Sequence, residues 1–498
     1  MGFKEDADFS RFVSMGAAGT AKVGRVLRDK YGHRPVELER YAMANKVWQT
    51  KVKRLRLPDL VCLRCGCRVE SRAKSKLGII MSHSDKTERA WNDGGMRGSD
   101  LYAFVRVDLS NGTPKVGEPI FFSSESMNSA ADLARRSTPK AASEGSEVTM
   151  TWPTWVPNRS GVVQEIDIKG RIVCRWDDGS TLRYWQWRNW GGDRRCLYVK
   201  PGSRITAEES MVAGVVPLPE SLACAGDIWD LPKALRAKEK TEQYAAIKAT
   251  GILHRDELGE SLVRIEAEEE DWRIRLEAIA ALARLKPEVW THRISTLADV
   301  ANSRDEVRME AVFTLSEIST DEASQALVAI AKNTENPVEL RASAAWGLGR
   351  GVYPRPDLLL PLTLSKEPLM SLHAIVALKS IPDQSIPDLV AALGSDDDRI
   401  AASAARVMLR HECVDALLDA VRKGGRPRLW ALGALGDLAP DLVRSVARAT
   451  LDDETKQALE PMWLAQHDWL RRDVGRDGLE ALDVQTVRFD PVTLTLDE

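Results

Sequence analysis

The pattern that decides the fold reads DWRIRLEAIAALARL at residues 271–285, DEVRMEAVFTLSEI at residues 305–318 and NPVELRASAAWGLG at residues 336–349. Each stretch contains an arginine, an alanine three residues later and a leucine four residues after that alanine. Apolar residues at spacings of three and four lie on one face of an α-helix. The pattern therefore predicts amphipathic helices that recur along the C-terminal half of the chain.

The alanine of this pattern has a nearly regular period. Its six copies are Ala278, Ala311, Ala344, Ala374, Ala405 and Ala431, at spacings of 33, 33, 30, 31 and 26 residues. A unit of this length has room for two helices, and stacked units bury the apolar faces that one unit leaves exposed. These residues resemble HEAT-like repeats over roughly residues 236–465. The resemblance implies a C-terminal α-solenoid whose surface binds protein, or sometimes nucleic acid.

Length and composition limit the class of protein. A chain of 498 residues is expected to form about three domains. With 44% hydrophobic and 29% charged residues, it is neither mainly disordered nor collagenous. No apolar run is long enough to span a membrane, and the N-terminus lacks a signal-peptide core, so we expect a cytoplasmic protein. Seven cysteines, an odd number, also indicate a reducing compartment.

Positive charge is concentrated near the N-terminus. Residues 1–76 carry 18 Lys and Arg against 8 Asp and Glu, whereas residues 77–498 carry 52 against 65. This asymmetry favours a phosphate-binding module attached to an acidic body. A solvated basic surface without a ligand is the alternative.

A predicted β-hairpin places polar side chains on one face of the N-terminal region. We expect a helix over residues 12–31, a strand over 34–41 and a hairpin formed by residues 57–63 and 67–74. Because side chains alternate along a strand, Glu70, Arg72 and Lys74 share one face. A two-residue loop at Cys65-Gly66 would set Asp59 opposite Arg72 and diagonal to Glu70, on that face.

Two carboxylates beside a cation are suited to phosphodiester chemistry. Asp59 and Glu70 would bind Mg²⁺ or Mn²⁺, while Arg72 and Lys74 would position water or phosphate. The segment resembles the PD-(D/E)-x-K nuclease superfamily over about residues 10–108: Pro58-Asp59 matches its first motif element and Glu70-Ser71-Arg72 its second, with Arg in place of Lys. The resemblance implies metal-dependent cleavage of DNA, or less often RNA. A bacterial role in defence against foreign DNA or in DNA repair is a separate expectation.

Arg72, which stands where the nuclease motif has lysine, leaves other interpretations open. Arginine stays protonated in proteins and cannot act as a general base, so a degenerate nuclease acting as a non-catalytic nucleic-acid-binding adaptor is one alternative. An unrelated ion-paired hairpin is another. Glu37 and Glu39 are candidates for a third carboxylate.

A run of basic residues precedes the hairpin and predicts contact with a nucleic-acid backbone. Its members are Lys46, Lys51, Lys53, Arg54 and Arg56. The alternative is a charged strand edge that improves solubility.

Three cysteines in the hairpin fit part of a zinc site. Cys62, Cys65 and Cys67, with His83 as a fourth ligand, could form a Cys₃His set. Otherwise they are ordinary strand and turn cysteines. The remaining histidines, including His33, are scattered and predict no metal cluster.

The middle of the chain differs in composition from both ends. Residues 150–222 contain six tryptophans among short alternating runs, and Asp178-Gly179 marks a hairpin turn. This indicates a small β-domain that resembles SH3-like barrels. The complete prediction is a multidomain α+β chain, divided as a nuclease-like α/β domain at 1–122, a linker at 123–149, the β-domain at 150–222, the solenoid at 236–468 and a tail at 469–498.

Overall fold

The structure is a computed structural model that describes residues 6–40, 48–84, 91, 95–109, 114–142, 145–167, 171–183, 194–299, 304–350 and 354–437. The chain forms two compact units. The first contains the described residues up to 281 except 48–53, and the second contains 48–53 and the described residues from 282 onward. This division differs from the predicted domain boundaries. Among the described residues, no helix combines the length and apolar character that crossing a membrane requires.

The helices are numbered in chain order. They are α1 (Asp6–Tyr31), α2 (Ser124–Ser129), α3 (Leu231–Ala234), α4 (Lys240–Ile252), α5 (Gly259–Glu268), α6 (Trp272–Leu285), α7 (Pro287–Ala298), α8 (Asp305–Ile318), α9 (Asp321–Lys332), α10 (Val338–Gly347), α11 (Pro356–Thr363), α12 (Pro368–Ala377), α13 (Ile386–Leu393), α14 (Asp398–Arg410), α15 (Val414–Lys423) and α16 (Gly425–Asp437).

All the described strands lie in the first unit. They are β1 (Pro35–Glu37), β2 (Leu60–Cys62), β3 (Arg68–Lys74), β4 (Ile79–His83), β5 (Leu101–Asp108), β6 (Lys115–Val116), β7 (Ile120–Ser123), β8 (Arg135–Arg136), β9 (Lys140–Ala142), β10 (Gly145–Trp152), β11 (Thr154–Trp155), β12 (Gly161–Ile166), β13 (Ile172–Trp176), β14 (Thr181–Arg183), β15 (Cys196–Leu197), β16 (Arg204–Ile205) and β17 (Ala213–Gly214).

The largest sheet has the order β1-β2-β3-β5, with β6 and β7 both paired to β5. The predicted hairpin is present as β2 and β3, which are antiparallel, and β5 runs parallel to β3. The predicted two-residue loop is wrong, because Leu60 pairs with Val69 and the backbone N–H of Cys62 donates to the carbonyl of Cys67. Four residues therefore form the loop, and its last residue, Gly66, adopts the left-handed region with φ +69°.

Helix α1 covers one face of this sheet. Its Val23 and Leu27 pack in a core with Val69, Ala103 and Val105 from β3 and β5. Alternation along β3 then directs Arg68, Glu70, Arg72 and Lys74 away from this helix.

The predicted linker over residues 123–149 is wrong, because this segment is folded. It contains α2, β8 and β9, and its end joins β10, which pairs with β4. Trp152 at the end of β10 is fully buried, and its indole N–H donates to the Ala130 carbonyl at 2.9 Å. The buried Trp152 side chain thus ties this polar segment to the fold. The predicted boundary at residue 150 falls inside β10.

The region predicted as a small β-domain forms two short sheets. One has the order β14-β13-β12-β16 and the other β11-β17-β15. Trp155 and Trp176 lie in the core between the strands. Gly179, with φ +83°, forms the turn between β13 and β14 that Asp178-Gly179 predicts. The predicted tryptophans Trp185, Trp187 and Trp190 lie outside the described residues.

The repeat prediction is confirmed for all six alanines, which lie on α6, α8, α10, α12, α14 and α16 and are each at most 7% exposed. The arginine of the motif also has a defined role. Arg275, Arg308 and Arg341 donate through Nε to the carbonyls of Glu266, Ala298 and Ala331, at the C-terminal ends of α5, α7 and α9, at 3.1, 3.1 and 3.0 Å. A cation there satisfies a carbonyl that the helix leaves unpaired.

Candidate functional site

Asp59 and Glu70 are neighbours at the start of the β2–β3 ladder. Asp59 immediately precedes β2, and extending the observed register by one residue sets it opposite Glu70, where the sequence predicted Arg72. The backbone N–H of Ser71 donates to Asp59 Oδ2 at 2.7 Å, and the Asp59 carbonyl accepts from the backbone N–H of Leu38 at 3.0 Å. The hairpin therefore fixes the two carboxyl groups side by side.

The charges around this pair are unbalanced. Desolvation, together with the nearby negative charge of Glu70, raises the pKa of Asp59 to about 8, although Arg72 and the Ser71 N–H oppose the shift. Arg72 Nη2 forms an ion pair with Glu70 Oε1 at 2.6 Å, and the charge of Glu70 is the main reason that the pKa of Arg72 is raised. Near neutral pH, Asp59 therefore favours either a proton or an added cation.

The donor set of this pair fits Mg²⁺ or Mn²⁺. Neither Asp59 Oδ1 nor Glu70 Oε2 accepts a hydrogen bond from the described part of the chain. Two carboxylate oxygens are hard ligands that suit these ions. The adjoining cleft is lined by Arg56, Trp91 and Tyr102 among others, and its volume of about 10 Å³ admits one water molecule or ion.

Lys74 does not join the pair. It lies on the same face of β3, but at about 3.3 Å per residue it is roughly 13 Å along the strand from Glu70. Its pKa is lowered first by burial and then by the positive charge of Arg72, while Glu147 opposes the shift. Arg56, an exposed residue, lines the cleft together with Glu70 and Arg72, although the sequence predicted it only as a contact to the nucleic-acid backbone.

The predicted basic run is divided between the two units. Lys46 lies outside the described residues, Lys51 and Lys53 belong to the second unit, and Arg54 and Arg56 belong to the first. Arg54 is largely buried and pairs with Glu39 Oε1 at 3.1 Å.

Glu37 and Glu39, the candidates for a third carboxylate, differ in their surroundings. The charge of Glu39 contributes to the raised pKa of Asp59, although Glu39 is ion-paired with Arg54. Glu37 ends β1 and is exposed.

The predicted zinc set is not assembled as expected. Cys62 and Cys65 lie together, but Cys67 Sγ contacts the carbonyl oxygens of Arg68 and Ser99 instead. His83 ends β4, where its Nδ1 accepts from the backbone N–H of Trp91 at 3.4 Å. The residues that accompany Cys62 and Cys65 are His33 and Cys224. Sequence reasoning missed both, because they are separated from the hairpin by long stretches of chain.

Comparison with known families supports the repeat region. Residues 260–349 match the family of HEAT repeats, and this range extends from α5 to the end of α10. No curated protein matches the chain at a significant level. The helices over residues 260–349 are therefore HEAT-like repeats, an architecture suited to protein interaction.

Proposed function

We propose that the first unit is a metal-dependent nuclease that cleaves phosphodiester bonds in DNA or RNA, and that the repeats bind a protein partner. The observation that supports this most directly is the position of Asp59 beside Glu70 in the hairpin, where burial and then the charge of Glu70 raise the pKa of Asp59 to about 8. Desolvating one carboxyl group beside another is costly for folding unless a cation or proton balances it. Helix α1, the antiparallel β2–β3 hairpin and the next strand at residues 101–108 are also elements that the nuclease resemblance implies.

Each residue of the cleft has a separate task in this proposal. Asp59 and Glu70 would hold Mg²⁺ or Mn²⁺, which when bound lowers the pKa of water and offsets charge on a phosphate. Arg72 would hold a non-bridging phosphate oxygen and keep its proton throughout. Arg56, at the exposed side of the cleft, would bind the adjacent phosphate.

The test is cleavage by the purified full-length protein. Plasmid, linear and single-stranded substrates are incubated with Mg²⁺, with Mn²⁺ or with a chelator. We expect cleavage only with the metals, and a loss of roughly 100-fold or more in Asp59→Asn. Glu165→Gln is the matched control, because Glu165 is an exposed acid on β12 of the same unit. Cleavage that persists with the chelator, or an Asp59→Asn rate equal to that of wild type, would contradict the proposal.

A non-catalytic adaptor is the second candidate. Two observations favour it: the Glu70–Arg72 ion pair is already formed, and the cleft admits a water molecule but no nucleotide. An adaptor would bind DNA in a salt-dependent way without cleaving it in any metal. Arg56→Ala would then weaken binding, while Asp59→Asn would leave binding unchanged.

The repeats contain a contact that supports protein binding. In the second unit, the non-helical residues 48–53 pack against the repeat helices: Trp48 is 4% exposed, with ring centroids 4.3 Å from His373 and 6.4 Å from Trp346. Glu339 accepts hydrogen bonds from the Thr50 backbone N–H at 3.2 Å and from Thr50 Oγ1 at 2.7 Å. These helices therefore hold a segment of irregular chain by one aromatic side chain, Trp48, and one carboxylate, Glu339.

A further inference from the structure

Four potential metal ligands meet in the first unit, away from the Asp59–Glu70 pair. His33 follows α1, Cys62 ends β2, Cys65 lies in the β2–β3 loop and Cys224 lies in the segment before α3. One ligand atom from each residue lies within 4.8 Å of all the others. Three thiols and one imidazole are a common ligand set of structural zinc.

The distances agree with tetrahedral coordination. Zn–S bonds of about 2.3 Å and Zn–N bonds of about 2.0 Å set tetrahedral S···S and S···N separations of about 3.8 and about 3.5 Å. The structure has Cys62 Sγ 3.8 Å from Cys224 Sγ, and Cys65 Sγ 3.6 Å from His33 Nδ1. A disulfide requires sulfur atoms about 2.05 Å apart, and these cysteines are free.

Hydrogen bonds around the cluster orient its ligands. His33 Nε2 lies 2.9 Å from the Leu222 carbonyl, which can only accept, so Nε2 carries the proton and Nδ1 presents its lone pair to the cluster. The backbone N–H of Arg34 donates to Cys62 Sγ at 3.3 Å, which favours a thiolate there.

The backbone places the ligands independently of any ion. The N–H of Gly66 donates to the Cys62 carbonyl at 2.9 Å and closes the turn that carries Cys65. The N–H of Cys224 donates to the Tyr31 carbonyl at 2.8 Å and holds the distant segment next to the end of α1. Backbone hydrogen bonds in three segments therefore bring the four ligands together: the end of α1, the β2–β3 hairpin and the segment that contains Cys224.

We propose that His33, Cys62, Cys65 and Cys224 bind one structural Zn²⁺. The protein supplies all four ligands, so no position is open for a substrate, and the role is structural. The ion would join the end of α1, the β2–β3 hairpin and the segment before α3. Since the same hairpin carries Asp59 and Glu70, zinc would fix the strands of the candidate nuclease site without taking part in its chemistry.

Metal content of the full-length protein tests the proposal. After purification without chelator, elemental analysis is expected to find about one zinc per chain. Cys224→Ser should lower the zinc content about tenfold or more. Cys67→Ser is the matched control, because Cys67 lies in the same hairpin outside the cluster, and it should retain the zinc.

A second measurement uses only the wild-type protein and applies even where Cys224→Ser fails to fold. Cys65 and Cys224 should resist alkylation in the zinc-loaded protein and become reactive together when a chelator is added, as mass spectrometry of the modified peptides would show. The half-buried Cys196 should react equally in both states. Three results would overturn the proposal: wild-type protein that takes up no zinc, full zinc retention in Cys224→Ser, or a Cys62–Cys224 disulfide in the purified protein.

Discussion

Strand β3 and its neighbours contain two acid sites that differ in how their charge is balanced. Asp100 is fully buried and accepts from the backbone N–H of Arg68 at 2.9 Å, from Arg68 Nε at 2.9 Å and from the backbone N–H of Arg97 at 2.7 Å. The carboxyl group of Asp59 accepts one hydrogen bond from the described part of the chain, from the backbone N–H of Ser71, and it faces a second acid, Glu70. The first site is balanced by the chain itself, whereas the second is left for a proton or a ligand. This difference separates a structural acid from a candidate functional one.

The largest effect should come from removing the balanced acid. Asp100→Ala removes the nearer carboxylate from the buried guanidinium of Arg68, which keeps a hydrogen bond from Nη1 to Thr241 Oγ1 at 2.7 Å and a longer ion pair with Glu239 Oε2 at 3.6 Å. Breaking a buried ion pair on one side costs about 3–5 kcal/mol of stability. Chemical unfolding followed by tryptophan fluorescence would measure the loss. Glu165→Ala, at an exposed position, is the control and should change stability little. A loss below about 1 kcal/mol for Asp100→Ala would show that the two acid sites do not differ as described.

Replacing the unbalanced acid, Asp59, should raise stability as the pH rises, whereas replacing Asp100 lowers it. Because the folded-state pKa of Asp59 is raised to about 8, the proton that it binds stabilises the fold at low pH. That contribution is complete below the unfolded pKa of about 4 and is lost as the pH rises towards 8, by at most about 1.4 kcal/mol per pH unit. Asp59→Asn lacks this titration, so its stability relative to wild type should rise between pH 5 and 8.

Unfolding of wild type and Asp59→Asn at a series of pH values would measure this difference. Added Mg²⁺ should stabilise wild type at pH 8 and leave Asp59→Asn nearly unaffected, because a cation replaces the proton. A constant difference between the two proteins across this pH range would contradict the raised pKa.

Sequence patterns between nearby residues predicted one face of the candidate site and the helices of the repeat region. Alternation alone set Glu70 and Arg72 on one face of a strand, and the period of the alanines located the helices from Ala278 to Ala431. Both results depend only on residues that are close in sequence.

The parts that could not be predicted depend on loop length and on distant segments. The hairpin loop has four residues instead of two, which moves the partner of Asp59 from Arg72 to Glu70. Cys224 reaches Cys62 across 162 residues, so no spacing rule connects them. The segment over 123–149 has few apolar residues, and its fold depends on a strand pairing with β4 that its composition does not reveal.

The smallest effect should come from Arg72→Lys, which tests whether the cation of the unbalanced site serves stability or chemistry. About a third of the Arg72 side chain is exposed, so its ion pair with Glu70 contributes at most about 1 kcal/mol, and lysine should preserve most of that. Lysine can also release a proton, which arginine cannot. We therefore expect nearly unchanged unfolding, together with metal-dependent cleavage at least equal to that of wild type. A stability loss comparable to that of Asp100→Ala would mean that Arg72 is as structural as Arg68. In that case the two acid sites would differ only in degree.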